Sequence, residues 1–474
     1  MKETYFLNAD CYVIPYEEKG PDSFIAYFPI QSLSFEINKD AAEVLGSIKE
    51  GPIKTNDPSV KRFFQDLVNL RVVNNNKEPV PYAPFKDFPT PTYTLLLLTN
   101  KCQLKCVYCY GESKKEGVLM PMYLAKKAID VLVKNAIDKN ERMFHVGYHG
   151  GGEPTINWKV LKGSYLYAVE KSGKNNLHLH SSICTNGMIS QEKANWIIEN
   201  IQDVAISMDG TPELQKKQRP MQNGRNSFNK VAATIDLFNK QKKVFNIRLT
   251  ATEFSHGKLL DTIHFVIDRF NPPVISIEPL YECGRCASTG CKPPPLDDFI
   301  KEMLDVIELG KSRDIPIQYS GNRLANIISR FCGAQGSNFF ITPKGYVTAC
   351  LEVTELYESR AGYLIYGKYD PGIKDFTFDT NKYRRLAGSQ VHNFETCTDC
   401  FGKWHCAGDC IAKAPDFSRV TQVRNEYRCK LNKTLLRQSL IDTMNSQISL
   451  TASSEKNDPG ILLHSRPLTS LVFQ

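Results

Sequence analysis

Leu95-Leu96-Leu97-Leu98-Thr99-Asn100-Lys101-Cys102-Gln103-Leu104-Lys105-Cys106-Val107-Tyr108-Cys109 sets four aliphatic residues against three cysteines spaced Cys-x3-Cys-x2-Cys. The aliphatic run reads as a buried strand, so the three thiols gather in the loop that leaves it. Outward from this stretch, short apolar runs alternate with amphipathic ones as far as about Asp314. The runs predict strands near 94–98, 144–149, 179–184, 203–208, 245–251 and 273–278, and helices near 121–138, 158–172, 190–200, 227–242, 257–270 and 296–313. Six strand-then-helix units in a row imply a parallel sheet with right-handed crossovers, closed or partly closed like a TIM barrel. The fold class is therefore α/β, a partial (β/α)6 barrel over 93–314, with its chemistry expected at the C-terminal strand ends.

Three thiolates in one loop leave a four-iron cluster one ligand short, and the open iron is then available to a substrate. Structural zinc asks for four ligands, and no fourth lies nearby in the chain. Cys102-x3-Cys106-x-Tyr108-Cys109 resembles the signature of the radical S-adenosylmethionine (radical SAM) enzymes. The resemblance implies a [4Fe–4S] cluster on Cys102, Cys106 and Cys109 whose unique iron chelates the amino and carboxylate groups of S-adenosylmethionine. Tyr108 stands where the family carries an aromatic near the adenine.

The other strand ends follow the same pattern. Gly150-Gly151-Gly152-Glu153-Pro154 follows the second strand; glycines let the backbone approach a ligand, and a carboxylate among them accepts from an ammonium group. In the family, Gly151, Gly152 and Glu153 would receive the methionine amino group. Thr185-Asn186-Gly187 ends the third strand and Ser207-Met208-Asp209-Gly210 the fourth. The resemblance puts Asn186 in the cofactor site, Ser207 and Asp209 by the ribose, Arg219 against the methionine carboxylate, and Leu280 in Glu278-Pro279-Leu280 at the adenine pocket. Each signal alone is an ordinary turn; their recurrence after successive strands is the argument.

The chain has 15 cysteines, an odd number, and no expected secretory signal, so metal or redox chemistry fits better than a disulfide framework. Seven of them, Cys332-x12-Gly345-x4-Cys350, Cys397-x2-Cys400-x5-Cys406-x3-Cys410 and Cys429, resemble the SPASM extension of peptide-modifying radical SAM enzymes. That likeness implies two further [4Fe–4S] clusters, one on Cys332, Cys350 and Cys410 and one on Cys397, Cys400, Cys406 and Cys429, making three in all. Seven ligands serve eight positions, which leaves one iron open or bound from elsewhere. Structural zinc is the plainer alternative for these loops. His392 and His405 read as packing groups. The trio Cys283-x2-Cys286-x4-Cys291 belongs to neither motif; it could supply the missing ligand, donate a thiol, or form an ordinary loop. Cys184 and Cys11 read as small buried apolar residues.

Residues 1–73 form an α+β unit: strands over Phe24–Phe28 and Leu33–Ile37, a helix capped by Asn38, a second begun by Asp57-Pro58, and a return to strand at Val72-Val73. The order is similar to the winged-helix leader-peptide recognition domain of peptide-maturing enzymes, which implies binding of an extended peptide on a sheet edge. Residues 74–92, with five prolines from Pro79 to Pro91, read as a linker, 315–445 as a cysteine-rich iron–sulfur domain held by something other than packing, and 446–474 as a tail without assigned structure. With 59 Lys and Arg against 51 Asp and Glu, the charge of +8 is too diffuse to argue for nucleic acid or membrane. A cytoplasmic setting is expected.

The combined reading is a radical SAM/SPASM maturase that forms Cys thioether cross-links in a ribosomally made precursor peptide carrying a leader. Its electron donor would be a flavodoxin or ferredoxin. The alternatives are an anaerobic sulfatase-maturing enzyme making formylglycine, peptide epimerisation, carbon–carbon cross-linking, and a zinc-stabilised peptide-binding scaffold. The sulfatase-maturing relatives carry an acid directly after the Gly-x4-Cys cysteine; here Leu351 follows Cys350, with Glu352 one later.

Overall fold

Asn38 and Asp57 start the two N-terminal helices in the computed structural model, which describes residues 3–7, 10–75, 88–111, 117–414 and 424–452, with side chains as far as Ser446. The first elements are β1 (Glu3–Tyr5), β2 (Tyr12–Pro15), β3 (Ser23–Phe28), β4 (Leu33–Asn38), α1 (Lys39–Glu50), β5 (Ile53–Thr55) and α2 (Pro58–Asn69). Asn38 Oδ1 accepts from Ala41 N at 3.0 Å and Asp57 Oδ1 from Ser59 N and Val60 N at 2.8 and 3.1 Å, satisfying donors that open a helix. Strands β2, β3 and β4 form an antiparallel sheet in that order, with β1 and β5 paired separately. Phe28, Ile37, Leu45, Phe64 and Leu67 close a small core of their own.

Two expectations change here. The wing after the second helix is only an isolated bridge between Leu7 and Val73. The unit also leans on the rest of the chain: Tyr12, Ile14, Tyr16, Ile25 and Tyr27 pack on Leu440, Ile441 and Met444. The far face of a three-stranded sheet is too apolar here to stay in water, so it docks. Of the proposed linker, residues 76–87, with Pro79, Pro81 and Pro84, lie outside the described residues.

The barrel follows the sequence reading closely. Its elements are β6 (Tyr93–Leu96), α3 (Met122–Asp138), β7 (Met143–Tyr148), α4 (Trp158–Asn175), β8 (His178–Thr185), α5 (Gln191–Asn200), β9 (Asp203–Ser207), α6 (Pro212–Gln218), α7 (Phe228–Lys240), β10 (Asn246–Ala251), α8 (Leu259–Phe270), β11 (Val274–Pro279), α9 (Cys286–Thr289), α10 (Leu296–Ser312) and β12 (Ile317–Gln318). Strands β6 to β12 lie side by side in chain order, all parallel. Outward residues such as Phe144, Val146, Ile183, Ile206, Ile247 and Ile277 are buried under the helices, while the alternate residues line an inner lumen. The short helix α6, unexpected from periodicity, is built by Thr211, whose side chain accepts from Leu214 N, and by Pro212 in its first turn.

The C-terminal third corrects two expectations. Strands β13 (Phe340–Ile341), β14 (Tyr346–Thr348), β15 (Ile365–Asp370) and β16 (Asp375–Phe378) extend the barrel sheet from its β6 edge to eleven strands. Helices α11 (Ala361–Leu364), α12 (Thr380–Gly388), α13 (Lys403–Cys406) and α14 (Glu426–Ala452) complete it. Phe339, Ile341, Val347, Tyr366, Leu386, Leu431 and Leu435 join the barrel's own core, so packing holds much of a region read as loops. The tail expectation changes too, because α14 runs on to Ala452; residues 453–474 lie outside the described residues.

Candidate active site at the barrel mouth

The loop after β6 is strapped down from Cys102 to Val107. Lys105 N and Val107 N donate to Pro220 O and Gln218 O at 2.7 and 2.9 Å, and Gln222 Nε2 reaches Cys102 O and Leu104 O at 3.1 and 3.0 Å. On the other side Arg285 Nη1 donates to Cys106 O at 2.8 Å and Thr289 Oγ1 to Val107 O at 2.8 Å. Backbone carbonyls of the cysteine loop are thereby satisfied. Burial pushes the Cys102 thiol up to about 11 and that of Cys106 up to about 12. Such thiols stay neutral alone, and a bound iron deprotonates a coordinating thiol.

Glu153 is buried at 2% exposure with both oxygens engaged. Oε1 accepts from Thr155 N, Thr155 Oγ1 and Thr185 Oγ1 at 3.1, 2.7 and 2.9 Å, and Oε2 from Asn186 N at 2.7 Å. Burial raises its pKa while these four donors pull the other way. Asn186 Nδ2 also donates to Cys102 Sγ at 3.4 Å, tying the third strand end to the cysteine loop. The glycines before Glu153 are required by packing: Gly151 has φ +66°, and a Cβ at Gly152 would stand 2.0 Å from Lys101 O.

Tyr108, Asp209 and Arg219 form one buried group. Tyr108 Oη donates to Asp209 Oδ2 at 2.5 Å and accepts from Arg219 Nη1 at 2.7 Å, while Gln218 Nε2 reaches the same carboxylate oxygen at 2.8 Å. Ser207 ends β9 facing the lumen, and Leu280 packs with Leu104, Cys106 and Tyr108. Thus Gly151, Gly152, Glu153, Asn186, Asp209, Arg219 and Leu280 lie against the loop of Cys102, Cys106, Tyr108 and Cys109, with Ser207 at the end of the neighbouring strand.

The seven C-terminal thiols lie in two neighbourhoods. Cys350, Cys332 and Cys410 are within electrostatic reach of one another, as are Cys406, Cys397, Cys400 and Cys429. None of the fifteen cysteines is in a disulfide. Among the described residues, no three His, Cys, Asp or Glu side chains converge closely enough to grip one ion. An all-thiol donor set of three plus four fits iron–sulfur clusters, for which sulfur is the ordinary ligand.

The trio is split, with Cys283 sharing the neighbours Glu352, Arg360 and Lys413 with Cys350 and Cys410. Cys286 and Cys291 are buried in the apolar patch of Cys106 and Tyr108, on the back of the first loop. Sequence reading also passed over His149, Arg248 and Tyr110 in the lumen around Cys184. Alternation along the strands, followed past their last apolar residue, could have pointed to them.

Comparison with known proteins agrees with this arrangement. Residues 96–266 match the model of the Radical SAM superfamily. These residues are a radical SAM domain. The domain implies a [4Fe–4S] cluster and S-adenosylmethionine, which the site's thiols, carboxylate and glycine backbone suit. The chain is 26% identical over 362 residues to the cysteine-type anaerobic sulfatase-maturating enzyme of Clostridium perfringens (strain 13 / Type A), covering 72% of this chain and 95% of that protein. Its radical SAM domain lies within a fold shared with native anSMEcpe with bound AdoMet and Kp18Cys peptide, at TM-score 0.61 and 21% identity over 75% of this chain and 98% of the other. Streptococcus suis SuiB bound to precursor peptide SuiA superposes over 90% of this chain and 99% of its own, at TM-score 0.50 and 16% identity. No helix among the described residues is long and apolar enough to cross a membrane.

Proposed function

We propose that this protein is a radical SAM/SPASM maturase that forms thioether cross-links in a ribosomally made peptide. The observation that carries the reading is the pair of thiol groups, Cys332–Cys350–Cys410 and Cys397–Cys400–Cys406–Cys429, set beside the mouth of a radical SAM barrel. The sulfatase-maturating relative and the peptide-bound structures with the same fold support a peptide as substrate.

When bound, the three [4Fe–4S] clusters and S-adenosylmethionine would supply the electrons and the 5′-deoxyadenosyl radical that takes a hydrogen atom from the peptide. The chain's own part is positioning. Glu153 and the Gly151–Gly152 backbone receive the methionine ammonium, Arg219 its carboxylate, Ser207 and Asp209 the ribose, and Tyr108 with Leu280 the adenine. The apolar residues around Tyr108 exclude water from the reacting carbon. A flavodoxin or ferredoxin serves as reductant.

The N-terminal unit would hold the leader. Strand β4 is an edge of its sheet, and beside it a groove of about 150 Å³ runs between Phe35, Ile37, Phe63, Leu67 and Leu70. An extended segment adds there as a further strand, with its apolar side chains in the groove.

Formylglycine formation is the second reading, favoured by the sulfatase-maturating relative. Leu351 speaks against it: it packs with Leu95, Leu97 and Phe340, where an acid would be needed. Tandem mass spectrometry of precursor treated anaerobically decides. A thioether loses two hydrogens and one alkylatable thiol per link, and formylglycine loses the sulfur itself. A carbon–carbon link leaves every thiol alkylatable and epimerisation leaves the mass unchanged; either result overturns the thioether.

A further inference from the structure

Side chains of a parallel strand alternate between the helix layer and the lumen. On β7 the buried Tyr148 faces outward, so the next residue, His149, faces in; on β8 the same holds for Ile183 and Cys184. Tyr148 pairs with Ile183 in register, which sets His149 and Cys184 level on neighbouring strands. Cys184 pairs with Ala205, and Arg248 with Ser207 two residues along on the far side of β9. A methyl group at Ala205 leaves the space through which the Arg248 side chain reaches back toward the sulfur.

The three groups meet. Register thus sets His149 and Arg248 on either side of Cys184, and both act electrostatically on its sulfur. Both ring nitrogens of His149 are buried and lack a hydrogen bond of good geometry. The carboxylates around the same lumen are committed elsewhere. Glu153 holds four donors, Glu278 accepts from Ser320 N and Oγ at 2.8 and 3.0 Å and faces Arg428 at 3.6 Å, and Glu352 is paired with Arg360 at 3.2 Å. Leu351 offers no acid.

We propose that Cys184 and His149, held beside Arg248, are the proton-accepting pair of the lumen, taking the proton of the substrate side chain that is modified. The proposal rests on the maturase reading for its substrate. In the step, the S–H bond of a peptide cysteine breaks heterolytically, its proton passes to the Cys184 sulfur, and the electron pair stays on the peptide sulfur. His149 then takes the proton from Cys184, leaving a thiolate beside an imidazolium. Burial alone would push the Cys184 thiol up; His149 and Arg248 overcome it and bring it down to about 6, against Glu153, which opposes. Tyr110 and Glu278 are the remaining ionisable groups facing this cluster. A base ionised just below neutral pH is well matched to proton transfer.

The test uses the full chain with its clusters reconstituted anaerobically, so that cluster-bound thiols are protected. Iodoacetamide labelling at Cys184 is followed against pH by peptide mass spectrometry. The wild type is expected to label with a midpoint near 6, and His149→Asn to label about fivefold more slowly at that pH, as a midpoint raised by about one unit requires. A wild-type midpoint at the ordinary thiol value of about 8.5, or one unmoved by His149→Asn, overturns the pair. Cys184→Ser is expected to lower kcat for peptide modification about 100-fold with KM for the peptide unchanged; an unchanged kcat overturns the proton-accepting role. If the wild type modifies no peptide at all, the maturase reading fails and the labelling midpoint alone judges the pair.

Discussion

The barrel and the cysteine-rich segment after it place their functional groups by opposite means. In the barrel, strand ends set each residue: Asn186 and Asp209 stand one and two residues past buried strands, and Glu153, five past its own, is tied back by its backbone N–H to Lys101 O. From 391 to 414 the chain turns through single-turn helices, with Ala407 and Asp409 at positive φ, and its thiols are set by loops. A residue outside glycine in that conformation costs energy that the surroundings must offset. The comparison teaches that the first site is preformed by the fold, whereas the second depends on what binds its thiols.

The largest expected effect tests the first half. Changing Cys102, Cys106 and Cys109 together to Ala should remove about four of about twelve irons and abolish S-adenosylmethionine cleavage, read by iron analysis and 5′-deoxyadenosine release. Cleavage that survives the triple change ends the radical SAM assignment of these residues.

Removing iron with a chelator should separate the two regions next. Amides in 391–414 are expected to exchange with deuterium at least about 100-fold faster, because metal binding supplies local folding energy, while β7, β8 and β10 keep their protection. Equal loosening of both regions would erase the distinction.

Glu153→Gln sharpens it within the preformed site. Losing a charged acceptor with four donors should cost about 2 kcal/mol, roughly thirtyfold in S-adenosylmethionine affinity by equilibrium dialysis. An affinity equal to wild type would take Glu153 out of the cofactor site.

Phe35→Ala addresses the groove beside β4 without disturbing the face docked on α14. Precursor binding should weaken about tenfold, the size of a modest anchor residue, and unchanged affinity by calorimetry would move the leader elsewhere. Smallest of all, Ile247→Val in the barrel core should cost about 1 kcal/mol in denaturant unfolding, and its effect should be the same with and without iron.

All six barrel strands and the six main helices between 93 and 314 were legible in the sequence because each is long, strongly periodic and buried on a defined side. Helix α14 was not, although it is the longest. Leu431 and Leu435 face the barrel core while Leu440, Ile441 and Met444 face the N-terminal sheet, so its apolar residues serve two partners and draw no single stripe. Strands β12 and β13, two residues each, carry no pattern at all; they exist because β11 and β6 offer open edges. At the site, the candidate ligands were named from motifs resembling a family's, whereas no motif records the surroundings of Cys184, which come from His149 and Arg248 on other strands.

By itself the sequence determined the barrel, the cysteine loop at its mouth and the strand-end residues around it, because local periodicity and spacing carry that information along the chain. Only the tertiary structure decided that the C-terminal segment continues the barrel sheet, that the N-terminal unit docks on α14, and that a histidine, a cysteine and an arginine meet in the lumen. These depend on contacts between residues far apart in the chain, where neither propensity nor motif spacing has anything to register.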